Sequence, residues 1–324
     1  MKFMNVQAAS GILKLSKIVK GTDYFGVTIP EEQAFALMDR YMELGGNTID
    51  TARIYGKKPS DHLDEEYSNS EPIVGRWIKA RGNRKDIVLV TKGAHHVMGD
   101  LSQRRVNKEC IDYDLSISLR ELGVDYVDIY FLHRDDPAKP VNEIMDALHE
   151  HVKGGRIRAL GASNWTTARI NEANAYAKAN GKTPFSISQI QWGVAYTIPE
   201  LWNDPTLVCM NETEYAGYLK NGIPVMGYAP QGGGYFSKLL AGETLKPKIA
   251  ARYDNEVNRR RLENMRVICE ETGKSAAEIS IAYISSNPVQ GAAIVGCSTI
   301  AQLEDSMSGG DFTLDEEACA RLVK

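Results

Sequence analysis

Cysteine is scarce in this 324-residue chain: Cys110, Cys209, Cys269, Cys297 and Cys319 are scattered, odd in number and never spaced as CxxC. That pattern excludes a disulfide framework and a structural zinc site, and it points to a reducing, cytoplasmic setting. Long apolar runs are missing too. No stretch approaches the ~18–20 apolar residues of a membrane helix. Lys14, Lys17 and Lys20 interrupt the opening residues too often for a secretory leader. Positive charge is not in excess, since the formal net charge is -4. No global field therefore gathers nucleic acid or anionic lipid, and neither a nucleic acid nor a membrane is an expected partner. A hydrophobic content of 43% without a glycine period excludes disorder and collagen-like structure. No GxGxxG follows the first strand, which disfavours an open dinucleotide-binding sheet. With no linker or low-complexity tract, residues 1–324 read as one domain.

Short β-branched runs alternate with amphipathic helical patterns along the whole chain. Strands are expected to start near residues 18, 47, 87, 126, 157, 186, 223 and 291. Helices are expected at 31–44, 104–121 and 141–152, where apolar residues recur at three- and four-residue spacing. Thr28-Ile-Pro-Glu31 has the form of a capping box. Strand followed by helix, repeated eight times, predicts an α/β fold, a (β/α)8 TIM barrel. The last two strand starts lie 68 residues apart, too far for one βα unit. A long loop after the seventh barrel strand, roughly 229–260, is the consequence. It reads either as a lid over a bound anion or as a surface loop.

In such a barrel, chemistry gathers at the C-terminal ends of the strands. Asp50 ends the second strand, with Tyr55 shortly after; Lys92 ends the third and His133 the fourth. Each alone is an ordinary salt-bridge partner, rim aromatic, solvated amine or structural imidazole. Together they suit one task. Reducing a carbonyl by hydride leaves an alkoxide that needs a proton. A phenol supplies it, a neighbouring ammonium lowers the phenol's pKa, and a carboxylate holds the ammonium. A neutral imidazole donates to the carbonyl oxygen.

GGNTIDTARIYG, VTKG, YVDIYFLHRDD, GRIRALGASNW, SQIQW, GYAPQGGG and IVGCSTIAQLEDS, in this order, resemble the aldo-keto reductase superfamily. The likeness is to the branch with potassium-channel β-subunit-like and bacterial reductases, and it runs from about Lys17 to Met307. The resemblance implies an oxidoreductase using a nicotinamide cofactor on an aldehyde or ketone. Its catalytic tetrad falls on Asp50, Tyr55, Lys92 and His133, with Tyr55 as proton donor. Thr22, Ser163, Asn164 and Gln189 would lie at the nicotinamide, and Tyr228 would stack on its ring. Ala229, Gln231, Gly232 and Gly234 would pass close to the pyrophosphate. Gly296, Ser298, Gln302 and Asp305 would hold the adenosine end. NADP(H) is the expected cofactor on family grounds, with NAD(H) open, because no Lys or Arg stands near Ser298 for a 2′-phosphate. Lys238, Arg252 and Arg259 either supply that charge or form a solvated basic face.

The expected partner is a small carbonyl compound. Asp23, Tyr24 and Trp165 are its candidate contacts, with His95, His96 and Trp192 as further wall residues. If Asp23 faces the pocket, the substrate is polar or sugar-like; if Tyr24 does, nothing follows. His95-His96 lacks a third ligand at suitable spacing, so no metal is expected. The competing readings are a nicotinamide-binding regulatory protein with little turnover, against which the intact tetrad argues, and a non-redox barrel enzyme.

Overall fold

The computed structural model describes residues 1–56 and 69–324. It opens with a hairpin, β1 (Phe3–Ala8) and β2 (Gly11–Ser16), paired antiparallel. Eight parallel strands follow: β3 (Ile18–Gly21), β4 (Thr48–Asp50), β5 (Val88–Gly93), β6 (Val127–Leu132), β7 (Ile157–Ser163), β8 (Phe185–Gln191), β9 (Val225–Tyr228) and β10 (Gly291–Val295). They close in sequence order, β10 pairing with both β9 and β3. The expected (β/α)8 barrel is present, each strand starting within two residues of its anticipated position.

The first helices are α1 (Glu31–Glu43), α2 (Ser70–Arg81), α3 (Lys108–Leu122), α4 (Val141–Lys153), α5 (Thr167–Ala179) and α6 (Glu212–Asn221). Next come α7 (Tyr235–Leu240), α8 (Pro247–Tyr253), α9 (Glu256–Thr272), α10 (Ala276–Ser285), α11 (Ile300–Ser308) and α12 (Glu316–Leu322). No described helix is long and apolar enough to cross a membrane. The barrel strands are buried on both faces, which is why they read as apolar runs rather than alternating ones. One set of side chains, including Val19, Val90, Ile129, Phe131, Ile187 and Met226, clusters together with Met4, Val6, Leu13 and Leu15 of the hairpin. The other set packs under the helices; α4, for example, buries Ile144, Met145 and Leu148 on one stripe.

Three local expectations need correction. The capping box at 28–31 does not form: α1 starts after Pro30, with no side-chain cap. Thr28 lies in a turn instead, its N–H donating to the Tyr24 carbonyl. The helix expected from 104 begins at Lys108, because the Asn107 side chain accepts from the Cys110 N–H and fixes the start there. The long loop over 229–260 is a glycine turn followed by α7, α8 and the start of α9. Gly232, Gly233 and Gly234 have φ of 55°, 65° and 81°, so that turn requires glycine rather than merely tolerating it.

Candidate active site

The C-terminal strand ends bring Asp50, Lys92 and His133 together, with Tyr55 beside them. Lys92 is fully buried, and its Nζ donates to Asp50 Oδ2 at 2.6 Å, the Thr51 carbonyl at 2.9 Å and the Tyr55 hydroxyl oxygen at 3.1 Å. An ammonium has three N–H donors, and each has an acceptor here. Asp50 also accepts from Gln189 Nε2 at 3.0 Å. Burial pushes the Asp50 carboxyl up and the Lys92 amine down, while each partner opposes the shift in the other. With every hydrogen-bonding position of the amine filled, we assign the pair as ionised.

The phenol departs from expectation. Burial, then the nearby carboxylates Asp50 and Asp23, push Tyr55 well above its ordinary pKa. Lys92 does not make it acidic. Because the Tyr55 oxygen accepts from Lys92, its own proton points away from the amine.

His133 lies edge-on to Tyr55, ring centroids 5.7 Å apart. Burial, with His95 and Arg134 adding to it, holds its imidazole well below its ordinary pKa, hence neutral. Its Nδ1 is buried without a partner among the described residues. A lone pair there costs less than a stranded N–H, which places the ring proton on Nε2. His95 and His96 join the cluster, with centroids 4.8 Å apart for His95–His133 and 3.9 Å for His95–His96. His95 Nδ1 faces the His96 carbonyl at 2.9 Å, so it carries the proton, and burial keeps that ring neutral as well. Among the described residues no group of three or more His, Cys, Asp or Glu is arranged to hold a metal.

Behind the tetrad, Asn164 ties the rim together. Its amide group donates to the His133 carbonyl at 3.3 Å, and its oxygen accepts from Val208 N at 3.2 Å and the Tyr228 hydroxyl at 2.8 Å. Arg134 adds a second tie that sequence reading missed. It donates to the His133 carbonyl at 2.9 Å and pairs with Asp204 at 3.1 Å. Only its adjacency to His133 hinted at this. Thr22 is buried behind the acid, its hydroxyl donating to the Asp50 carbonyl at 3.0 Å.

Of the remaining candidates, Ser163 ends β7, Gln189 lies two residues before the end of β8, and Tyr228 is half-buried at the end of β9. Gln231 donates to Ser306 at 3.2 Å, and Gln302 accepts from the Ser298 N–H and hydroxyl, each at 3.0 Å. A Cβ built on Gly296 would meet nothing within 4 Å, so the chain end of β10 borders open space. Lys238 Nζ donates to the Gly233 carbonyl at 3.1 Å, beside the glycine turn.

Other candidates lie elsewhere. Asp305 faces α10, where Ser275 donates to it at 3.2 Å. Arg259 is engaged with Asp254 at 3.0 Å. Trp165 is no wall residue: it is fully buried, donates to the Arg134 carbonyl at 3.2 Å and packs on Phe185. Trp192 is likewise buried, against Tyr283. Asp23 and Tyr24 both keep solvent contact just after β3. Asp23 is nevertheless surrounded by enough protein to raise its carboxyl, and it feels Lys92, Lys248 and Asp50, as a residue lining an open mouth does.

A parallel eight-stranded barrel with an acid, an amine, a phenol and an imidazole on one rim belongs to the class of α/β-barrel enzymes that carry their chemistry at the strand ends. The model of the aldo/keto reductase family matches residues 17–324. The chain belongs to that family, and is thus an oxidoreductase. It is similar to the uncharacterized oxidoreductase YrpG of Bacillus subtilis, 28% identical over 94% of this chain and 90% of that protein. It is also similar to the aryl-alcohol dehydrogenase [NADP(+)] of Phanerodontia chrysosporium, 29% identical over 90% of this chain and 75% of that one. The norsolorinic acid reductase stcV of Emericella nidulans is 26% identical over 94% of this chain and 76% of its own length.

Proposed function

We propose that the protein reduces an aldehyde or ketone to an alcohol with NADP(H), NAD(H) being the lesser alternative, and that Tyr55 donates the proton. The observation that carries the reading is the Lys92 ammonium, whose donors are shared among Asp50, the Thr51 carbonyl and the Tyr55 oxygen. Burial and the carboxylates Asp50 and Asp23 keep the phenol protonated, and the Lys92 donor turns its hydrogen away from the amine. A raised pKa suits the role, because an alkoxide is a far stronger base than a phenolate and the acid must keep its proton until the alkoxide forms. His133 Nε2–H donates to the same carbonyl oxygen and stabilises the charge that develops there.

The residues present fit a nicotinamide dinucleotide. The Tyr228 ring is anchored by its hydroxyl to Asn164, and the glycine turn at 232–234 and the open space at Gly296 admit close backbone approach. When bound, the dihydronicotinamide supplies the hydride. Ser163, Asn164, Gln189 and Tyr228 would hold its ring; Gln231, Gly232, Gly234 and Lys238 its pyrophosphate; Ser298 and Gln302 its adenosine end. The relative named for NADP(+) supports the phosphorylated cofactor. Asp23, a carboxylate on the mouth, favours a polar, hydroxylated carbonyl substrate over a plain hydrocarbon one.

Two measurements test the reading. Thermal-shift titrations should give a large stabilisation with NADP+ and a smaller one with NAD+. Oxidation of NADPH should be seen with a panel of aldehydes, ketones and keto-sugars. Binding of neither nucleotide would overturn the reading.

A further inference from the structure

The segment after β9 carries several cations, and two of them, Lys238 and Arg259, are engaged locally. Lys238 donates to the Gly233 carbonyl, and Arg259 pairs with Asp254. Arg252 is different. Its guanidinium lies 3.8 Å from the centroid of the Trp202 ring, and among the described residues no hydrogen-bond acceptor or carboxylate partner meets its N–H groups. The platform beneath it is fixed. Trp202 Nε1 donates to Thr197 Oγ1 at 3.0 Å, and the ring is held edge-on by Tyr228 and Tyr253 at 6.3 and 6.2 Å.

The position of Arg252 is equally specific. Trp202 follows β8, Tyr24 follows β3, and Tyr228 ends β9. Tyr24 and Tyr228 are near enough to Arg252 to be felt electrostatically. The helix α8 therefore reaches across the mouth and sets the guanidinium among residues from three rim segments. Lys248, one turn earlier on α8, lies near Asp23 and offsets that carboxylate. A planar fork held by stacking, half-buried and without an acceptor among the described residues, matches a planar anion bidentately.

We propose that Arg252, seated on Trp202 beside Tyr24, is a specificity residue that binds an anionic group of the substrate, a carboxylate carried on the carbonyl compound. The inference rests on the carbonyl-reductase reading and narrows its substrate class. Arg252 is assigned to substrate rather than to the cofactor because its platform Trp202 and its neighbour Tyr24 are not among the residues assigned to the nucleotide, whereas Lys238 is the cation at the glycine turn.

The test pairs 4-carboxybenzaldehyde with its methyl ester, using NADPH and the wild-type, Arg252→Leu and Arg252→Lys proteins. The wild type should prefer the carboxylate by about 10- to 100-fold in kcat/KM, expressed in KM. Arg252→Leu should erase the preference, and Arg252→Lys should restore only part of it, since an ammonium lacks the fork. No preference in the wild type, or a preference that survives Arg252→Leu, overturns the proposal. NADPH affinity, read by quenching of protein fluorescence, should change less than about threefold in Arg252→Leu. A tenfold or larger weakening, about 1.4 kcal/mol or more, reassigns Arg252 to the cofactor and overturns the proposal. Should NADPH bind while neither these aldehydes nor any member of the carbonyl panel is reduced, the carbonyl-reductase reading fails by itself. Titration with 4-(hydroxymethyl)benzoate, followed by tryptophan fluorescence, then decides the anion site: saturation lost in Arg252→Leu supports it, and no saturable signal overturns it.

Discussion

The hairpin β1–β2 packs Met4, Val6, Leu13 and Leu15 into the cluster that fills one end of the barrel, while the other end buries Asp50, Lys92, His133 and Gln189. The depths are similar but the physics is opposed. Each apolar side chain removed from water contributes about 1.5–3 kcal/mol. A buried ion pair such as Asp50–Lys92 roughly breaks even or costs stability, because desolvation offsets the attraction. Backbone strain follows the same division. Ala94, Asn164 and Ala229 are non-glycine residues at positive φ of 56°, 58° and 51°, and each directly follows a barrel strand. Such conformations cost of order 1–3 kcal/mol, persist where the surrounding structure over-determines them, and cluster at functional sites. The plugged end thus supplies stability that the open end uses to hold charge and strain in place.

The sharpest way to break this division is Tyr55→Phe. Turnover should fall by about 10²–10⁴-fold through loss of the proton donor. The melting temperature should move by no more than about 4 °C, since the Lys92 ammonium loses one acceptor and keeps two. NADPH consumption and calorimetry check the two halves. Retained turnover removes Tyr55 from its proposed role, and a collapse in stability makes it structural.

At the plugged end the expectation reverses. Leu15 is fully buried in the cluster behind the hairpin. Leu15→Ala should cost about 2–5 kcal/mol in denaturant unfolding. Turnover per folded molecule should stay within about twofold of the wild type. A rate loss matching the stability loss would mean that the two ends are coupled.

A smaller effect separates the ends by pH. Glu71, on α2, accepts from Thr91 of β5 at 2.6 Å and is fully buried. Burial raises its carboxyl from 4.5 to about 7. Its folded pKa lies above its unfolded one, so its contribution is fully present below about 4.5 and is lost as pH rises through about 7. Unfolding free energy should fall by up to ~3 kcal/mol across that window. Glu71→Gln should flatten the dependence. A slope unchanged in the variant would place the titrating group elsewhere.

How far the sequence revealed these two ends differs for physical reasons. The eight barrel strands are legible because parallel strands buried on both faces must be apolar runs. Asp50, Lys92 and His133 are legible because a polar residue ending such a run has one place to go, the rim. The hairpin went unread although its signal was present. FMNVQA alternates outward and inward, and GILKLS buries Leu13 and Leu15 while exposing Ile12 and Lys14. Trp165 was misplaced since a position just past a strand end does not say which way a side chain turns; its indole turns into the core. Arg134 with Asp204, and Arg252 with Trp202, join segments far apart in the chain, and no local pattern encodes such meetings. Tyr55 was expected to be acidified by Lys92, but residue types near one another do not reveal how much burial opposes the charge.

The smallest expected effect tests the hairpin at single-residue resolution. Ile12 and Leu13 are neighbours on β2, yet Ile12 is 62% exposed and Leu13 only 4%. Successive strand residues face opposite sides, so a slip of one residue would exchange them. In the observed register Val6 pairs with Leu13 and Gln7 with Ile12. Ile12→Ser should therefore change stability by less than about 0.5 kcal/mol, as surface substitutions do. Leu13→Ser should cost several times more, because it buries a hydroxyl in an apolar cluster and leaves a void. Urea unfolding of the two variants gives the comparison directly. Equal losses would mean that the outward face of the hairpin is also covered, and the contrast between a packed end and a chemical end would then have to be drawn at a different surface.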